Sequence, residues 1–196
     1  MSTEGNKVRK LTYYVGATID GFIADPDGSF GFFPLADDIL KYIGEEYPET
    51  LPTHVRSPLG IVGANRRFDT VVMGRATYDP ALRAGITSPY AHLRQYVVSS
   101  SLPLGADPEV EVVRTDPVGL VRRLKRQEGL GVWLAGGARL AGEVLPEIDE
   151  LVVKTYPLVI GSGIPLFTRE FAVAAFRRTS GRAFDSGAAI TVYQRD

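Results

Sequence analysis

The chain has 196 residues, 44% of them hydrophobic and 23% charged, an ordinary globular balance that supports a full-sized core. It has no cysteine, which excludes disulfides, thiolate zinc sites, iron–sulfur clusters and a cysteine nucleophile. Net charge is −1, no Lys/Arg cluster forms a nucleic-acid footprint, and no segment approaches the roughly 18 apolar residues of a membrane span. The expectation is a cytoplasmic protein without nucleic-acid or membrane partners. Residues 1–8 are expected to be frayed, and residues 9–196 to form one domain.

Residues 11–19, LTYYVGATI, are rich in Tyr, Val, Ile and Thr and predict a first strand. Asp20-Gly21, and then Asp25-Pro26-Asp27-Gly28, are turn chemistry. Over 36–47, Ile39, Leu40, Ile43 and Tyr47 fall at helical spacing, with Asp37 or Asp38 as N-cap. An acid at a helix start is ordinarily a cap; the competing reading is a catalytic carboxylate. Residues 48–67 carry Pro48, Pro52, Pro58, Gly60 and Gly63 with no clean period, which predicts a long loop of a kind that is often functional. Its His54, Arg56 and Arg66 are candidates to meet a phosphate or carboxylate, and a solvated excursion with surface arginines is the alternative.

The stretch 69–78, DTVVMGRATY, is a β-branched run that stops at Gly74 and delivers Arg75 and Thr77. Glycine lets backbone approach a ligand, arginine brings a planar five-donor fork, and a helix start brings free N–H groups. Together these make an anion site; the plain alternative is a strand, a turn and a surface arginine. Asp79-Pro80 is expected to restart a short helix through Leu82. QYVVS at 95–99 predicts a strand ending in Ser99, Ser100 and Ser101, and VEVVR at 110–114 predicts another. Asp116-Pro117 opens a helix with Val118, Val121 and Leu124 on one face; Arg122, Arg123, Lys125 and Arg126 are its solvated side.

GVWLA at 131–135 is a short apolar strand, broken by Gly136-Gly137 and followed by a helix over 138–145. So tight a strand-to-helix turn is a place where a pyrophosphate can sit against helix-start N–H groups. A strand over 148–160 breaks near Pro157, a Gly/Pro turn spans 161–167, and 171–178 with 188–195 read as a terminal antiparallel pair. The sum is an α/β domain: a mostly parallel central sheet of about eight strands with an antiparallel C-terminal edge, flanked by about four helices.

Five stretches stand in order: ATIDGFIADPDG at 17–28, VVMGRATY at 71–78, VVSSS at 97–101, LAGGARLAGEVL at 134–145 and PLVIGSGIPLF at 157–167. In this the chain resembles the dihydrofolate reductase-like superfamily. It looks most like the reductase domain of the bifunctional riboflavin-biosynthesis deaminase-reductase and its stand-alone bacterial relatives. The resemblance covers about residues 9–195 and implies a three-layer fold with NADPH as cofactor. It implies that Gly74, Arg75 and Thr77 meet the 2′-phosphate and pyrophosphate, and that Ser99, Ser100 and Ser101 lie on the adenosine side. Gly136, Gly137, Ala138 and Arg139 would run beneath the nicotinamide and pyrophosphate, with a cis Gly136–Gly137 peptide. Ala17, Ile23 and the Asp20-Gly21 loop would line the nicotinamide side.

The resemblance further implies reduction of a small heterocyclic or phosphoribosylated C=N or C=O compound, like 5-amino-6-(5-phosphoribosylamino)uracil. His54, Arg56 or Arg66 would pair with the substrate's phosphate. Asp37 and Asp20 are the candidate catalytic residues; Asp37 stands nearest the carboxylate that dihydrofolate reductases place at the start of the first helix, with ordered water as the alternative proton source. Two rivals stay open. One is a dihydrofolate or pterin reductase, and the other is a non-catalytic nucleotide-binding protein that kept the fold. Related domains pair, so a homodimer is expected. No metal site and no deaminase half are expected in a chain without cysteine.

Overall fold

The structure is a computed structural model that describes residues 8–105 and 107–196. The expected fraying of residues 1–8 therefore falls almost wholly outside the described residues. An eight-stranded sheet forms the middle layer. Its strands are β1 (Leu11–Thr18), β3 (Phe68–Gly74), β4 (Arg94–Val98), β5 (Val110–Val113), β6 (Gly131–Gly136), β7 (Glu150–Tyr156), β9 (Phe176–Ala183) and β10 (Ala189–Arg195). They lie in the order β5-β4-β3-β6-β1-β7-β10-β9. The first six of these run parallel, and β10 is antiparallel to both β7 and β9. The expected parallel sheet with an antiparallel C-terminal edge is observed. The short strands β2 (Phe22–Ala24) and β8 (Ile164–Pro165) form a separate pair.

Strand alternation splits the core in two. On one face Tyr14, Val71, Met73, Trp133, Val152 and Tyr156 pack beneath α1 (Asp37–Glu46), which contributes Ile39 and Ile43, and α3 (Arg75–Arg83), which contributes Tyr78. On the other, Leu11, Tyr13, Val15, Val72 and Leu134 pack against α4 (Pro117–Lys125) and α5 (Ala138–Glu143). Asp116 caps α4 as expected, accepting from the Gly119 N–H at 2.8 Å.

Four expectations need correction. Neither Asp37 nor Asp38 caps α1, because both already lie in its first turn. Asp38 instead accepts from the Ser186 N–H at 2.8 Å, tying the helix start to the β9–β10 turn. Pro80 restarts nothing: α3 begins at Arg75 directly after β3, and Pro80 lies inside it. The strand expected at 171–178 begins only at Phe176, leaving Phe171 and Val173 exposed in coil. Residues 48–67 are not a structureless loop; they contain a 3-10 turn, Pro48–Thr50, and a fifth helix, α2 (Thr53–Arg56).

That segment is organised by a fully buried acid, which its proline content hides. The Glu49 carboxylate accepts from the N–H groups of Arg66 and Arg67, the latter at 2.8 Å. His92, just before β4, donates from Nε2 to the Glu49 carbonyl at 2.9 Å and accepts at Nδ1 from the Thr53 hydroxyl at 2.8 Å. Burial, with the nearby Arg56 charge, lowers the His92 pKa and keeps the ring in that neutral form.

A second charge cluster closes the opposite, amino-terminal edge of the sheet. Asp69 at the start of β3 pairs with Arg9 ahead of β1, lies 3.3 Å from Arg94, and accepts from the Leu130 N–H at 2.8 Å. It thereby stitches together the beginnings of β1, β3, β4 and β6. Burial alone would raise the Asp69 carboxyl. Hydrogen bonds from Thr70 and Leu130 and the charges of Arg9 and Arg94 outweigh it and hold the group below its ordinary 3.8. A carboxyl depressed in the folded state stabilises above its unfolded pKa, and that contribution is lost as pH falls through the folded value. Asp69→Asn is expected to cost about 3 kcal/mol at pH 7, the low end for breaking a buried pair, since its side chain stays 26% exposed. Its stability should also fall less than that of the parent between pH 4 and pH 2; urea unfolding at both ends of that range measures it.

Candidate active site

The carboxyl ends of the parallel strands make the crevice where ligands of open α/β sheets bind. Three neighbours, β4, β3 and β6, deliver their expected residues there side by side. Gly74 pairs with Val98 across β3 and β4, and Met73 pairs with Gly136 across β3 and β6. The Gly136–Gly137 peptide is cis, as the resemblance implies, and Gly136 has φ +111, a conformation that L side chains rarely adopt. A Cβ on Gly74 would stand 3.5 Å from Gly136 O and Gly137 N, so the two glycine turns touch backbone to backbone. Thr77 reaches the same place: its Oγ1 lies 3.7 Å from where a Gly137 Cβ would be.

Two helices start at this edge, α3 from Gly74 and α5 from Gly137, and neither has a side-chain cap. Their first N–H groups are left for an outside acceptor. Arg75 pairs through Nε with Asp79 one turn on, and its side chain remains 38% exposed. Arg139 is exposed and Ala138 is buried, its carbonyl accepting from Thr168 N–H at 3.0 Å.

The serines divide. Ser99 is buried and its hydroxyl accepts from the Leu102 and Ser101 N–H groups at 3.0 and 3.3 Å, so its capacity is taken by the turn. Ser100 and Ser101 are the exposed pair. Arg114, which sequence reading passed over as the end of a strand, donates to the Ser100 carbonyl and to the Leu102 carbonyl at 3.3 Å and so holds the turn.

The nicotinamide-side residues also resolve. Ala17 is buried, with strand alternation turning it to the α4/α5 side, so Gly16 is what β1 presents toward α1 at this level. Ile23, on β2, packs against the α4/α5 core. Asp20 accepts from the N–H groups of Ile160 and Gly161 at 3.1 and 2.7 Å and clasps the turn after β1 to the segment after β7. Hydrogen bonding, first from Thr18 and then from those amides, keeps its pKa below the ordinary carboxylate range. Those amide bonds make Asp20 a tether.

A cleft of about 600 Å³ runs along the outer side of α1, walled by residues 56–66. Asp37, Arg56 and Arg66 line it together, with Lys41 between them, whereas His54 lies outside its lining. Arg56 is buried and its Nε has no hydrogen-bond partner among the described residues. Arg66 donates to the Glu45 carbonyl at 3.0 Å. The charged lining of the cleft is mixed, with Lys41, Arg56 and Arg66 beside Asp37, Glu45 and Glu46.

Comparison with known proteins agrees with this geometry. Protein YwjB of Bacillus subtilis, uncharacterized, is 32% identical over 161 residues, covering 81% of this chain and 83% of that protein. YyaP of the same organism, also uncharacterized, is 24% identical and covers 97% of both chains. Among solved structures, a provisionally assigned riboflavin biosynthesis protein from Shewanella sp. PV-4 superposes with a TM-score of 0.68 at 22% identity, covering 95% of this chain and 99% of that one. The deaminase/5-amino-6-(5-phosphoribosylamino)uracil reductase of Thermotoga maritima gives 0.64 at 16% identity, over 97% of this chain and 57% of that one. Dihydrofolate reductase from Enterococcus faecalis, solved with NADP(H), gives 0.64 at 17% identity, over 95% and 96%. The fold is shared with all three. With the model of the RibD C-terminal domain matching residues 9–190, the chain belongs to the RibD C-terminal domain family.

Proposed function

We propose that the protein is an NADPH-dependent reductase of a small heterocyclic or phosphoribosylated compound. One observation carries the reading: two uncapped helix starts flank a cis Gly-Gly turn at the ends of adjacent parallel strands. Free N–H groups and a surface without side chains fit a pyrophosphate, and Arg75, Thr77, Ser100 and Ser101 fit the phosphate-bearing ribose beyond it. Bound NADPH would supply a hydride; the chain's own task is to hold it, orient the acceptor and keep water out. Arg56 and Arg66 are the groups to bind an anionic part of the acceptor in the cleft along α1. Asp37, at the mouth of that cleft, is the candidate to supply or relay a proton.

A second reading, a dihydrofolate or pterin as acceptor, is favoured by Asp37 alone, since it stands at the start of the helix over the sheet. The two readings separate on turnover of 5-amino-6-(5-phosphoribosylamino)uracil against dihydrofolate. The pterin reading requires that Asp37→Asn abolish dihydrofolate reduction.

Arg75→Ala should weaken NADPH by about 1.5–3 kcal/mol, roughly 10- to 150-fold, as expected for a lost charge-assisted bond, with NADH nearly unaffected. Titration of both nucleotides measures this, and an unchanged NADPH dissociation constant would defeat the cofactor assignment. Arg66→Ala, at an exposed side chain, should raise KM for the phosphoribosylated acceptor about tenfold and leave kcat within about twofold. Steady-state kinetics tests it, and equal loss in kcat would argue against a binding role.

A further inference from the structure

On the side of β7 that faces α1, strand alternation places Glu150, Val152, Lys154 and Tyr156. Val152 and Tyr156 belong to the core beneath α1, and Lys154 lies between them on the same face. Its partners in register are Gly16 of β1 and Ile190 of β10. Because Gly16 has no side chain, the lysine stem lies down against β1: a Cβ on Gly16 would be 3.8 Å from Lys154 Cε and 3.2 Å from the Tyr156 ring. The ammonium ends 4.3 Å from the centre of the Tyr14 ring.

Lys154 has no carboxylate partner among the described residues. The titratable and charged groups around this pocket are Tyr14 from β1, Tyr156 from β7, Tyr42 and Tyr47 at α1, and Arg182 from β9, which stacks on Tyr42 at 4.8 Å. From β6 comes Trp133, and from β10 Ile190. None of these carries negative charge at neutral pH; Glu150, at the start of β7 on the same face, does, and it is engaged by Lys10 at 3.9 Å and accepts from Thr12 at 3.2 Å and Gln194 at 3.5 Å. Burial lowers the ammonium to about 8. A half-buried ammonium without a carboxylate partner costs stability, and a methionine of similar length would fill the same space without that cost.

Register gives the position its meaning. β1 lies between β6, whose end is the Gly136–Gly137 turn, and β7, and its pairing with β6 ends at Tyr13 and Leu134, ahead of Gly16. Lys154 stands on the other side of Gly16. The cis turn and the lysine are thus two strands apart, roughly 10 Å. The strand between them, β1, has no side chain at that level.

We infer that Lys154 is a substrate-binding residue whose ammonium donates to a carbonyl oxygen or ring anion of a planar heterocycle held beneath α1, between β7 and the Gly136–Gly137 turn. This rests on the reductase reading above and assigns the ring of the acceptor to one residue. The ammonium fixes the orientation of the ring.

Competitive acetylation with acetic anhydride, read by peptide mass, tests it on the intact protein, with Lys10, 54% exposed, as internal reference. Lys154 should react in the folded state, half-maximally near pH 8. Either 5-amino-6-(5-phosphoribosylamino)uracil or dihydrofolate should slow Lys154 labelling about tenfold, as a charge-assisted contact would, while ring-free ribose 5-phosphate should not. A Lys154 that resists acetylation, that neither ring compound protects, or that ribose 5-phosphate protects equally, would overturn the proposal. Lys154→Met should lose binding of the protecting compound about tenfold yet keep NADPH affinity within about threefold. Loss of NADPH binding by both proteins would refute the cofactor reading, and the labelling pattern would still judge the lysine on its own.

Discussion

Everything at the carboxyl edge depends on two backbones meeting without side chains between them. β3 ends at Gly74, β6 ends at Gly136-Gly137, and a Cβ on Gly74 would already touch both of the latter. Because the turns are bare, α3 and α5 can begin immediately, side by side and uncapped, with their N–H groups facing the same space. Any side chain at Gly136 would have to take φ +111, outside the range L residues favour. Three glycines thus convert an ordinary pair of parallel strands into a bare surface at which two helices start.

Charge elsewhere is arranged around that edge. At the far end of the sheet the Arg9–Asp69–Arg94 cluster fastens the strand beginnings and leaves their ends free to serve a ligand. Asp38 and Asp20 do similar work beside the site, one fixing α1 to the β9–β10 turn, the other joining the turn after β1 to the segment after β7. Glu49 and His92 hold residues 48–67 together and Arg66 ties them to the Glu45 carbonyl of α1, which shapes the cleft. Among the described residues, the Arg56 Nε is left without a hydrogen-bond partner beside the cleft, and the Tyr14 hydroxyl is left without one beneath α1, where the Lys154 ammonium lies over the Tyr14 ring.

The cofactor edge was legible in the sequence because local rules write it: a β-branched run halted by Gly74, a second halted by Gly136-Gly137, each followed by helix-forming residues. The parallel sheet followed from alternation of those units. What stayed hidden depends on partners far along the chain. Nothing local to Glu49 says that its carboxylate will receive the N–H groups of Arg66 and Arg67, so α2 and its neighbours read as loop. Ser99 looked like its two neighbours until the turn claimed its hydroxyl. Asp20 looked catalytic because its amide partners, Ile160 and Gly161, are 140 and 141 residues away. Lys154 did leave a signal, a lone charge in VVKTY, but only the register with Gly16 shows what it faces.

The central claim is that the Gly74, Gly136-Gly137 edge holds NADPH with its nicotinamide toward α1. A crystal structure of the protein soaked with NADPH tests it most directly. The account predicts the 2′-phosphate beside Arg75, the pyrophosphate against the starts of α3 and α5, and the nicotinamide near Gly16. NADPH found in the cleft along α1 instead, or no nucleotide at that edge at saturating concentration, would contradict it.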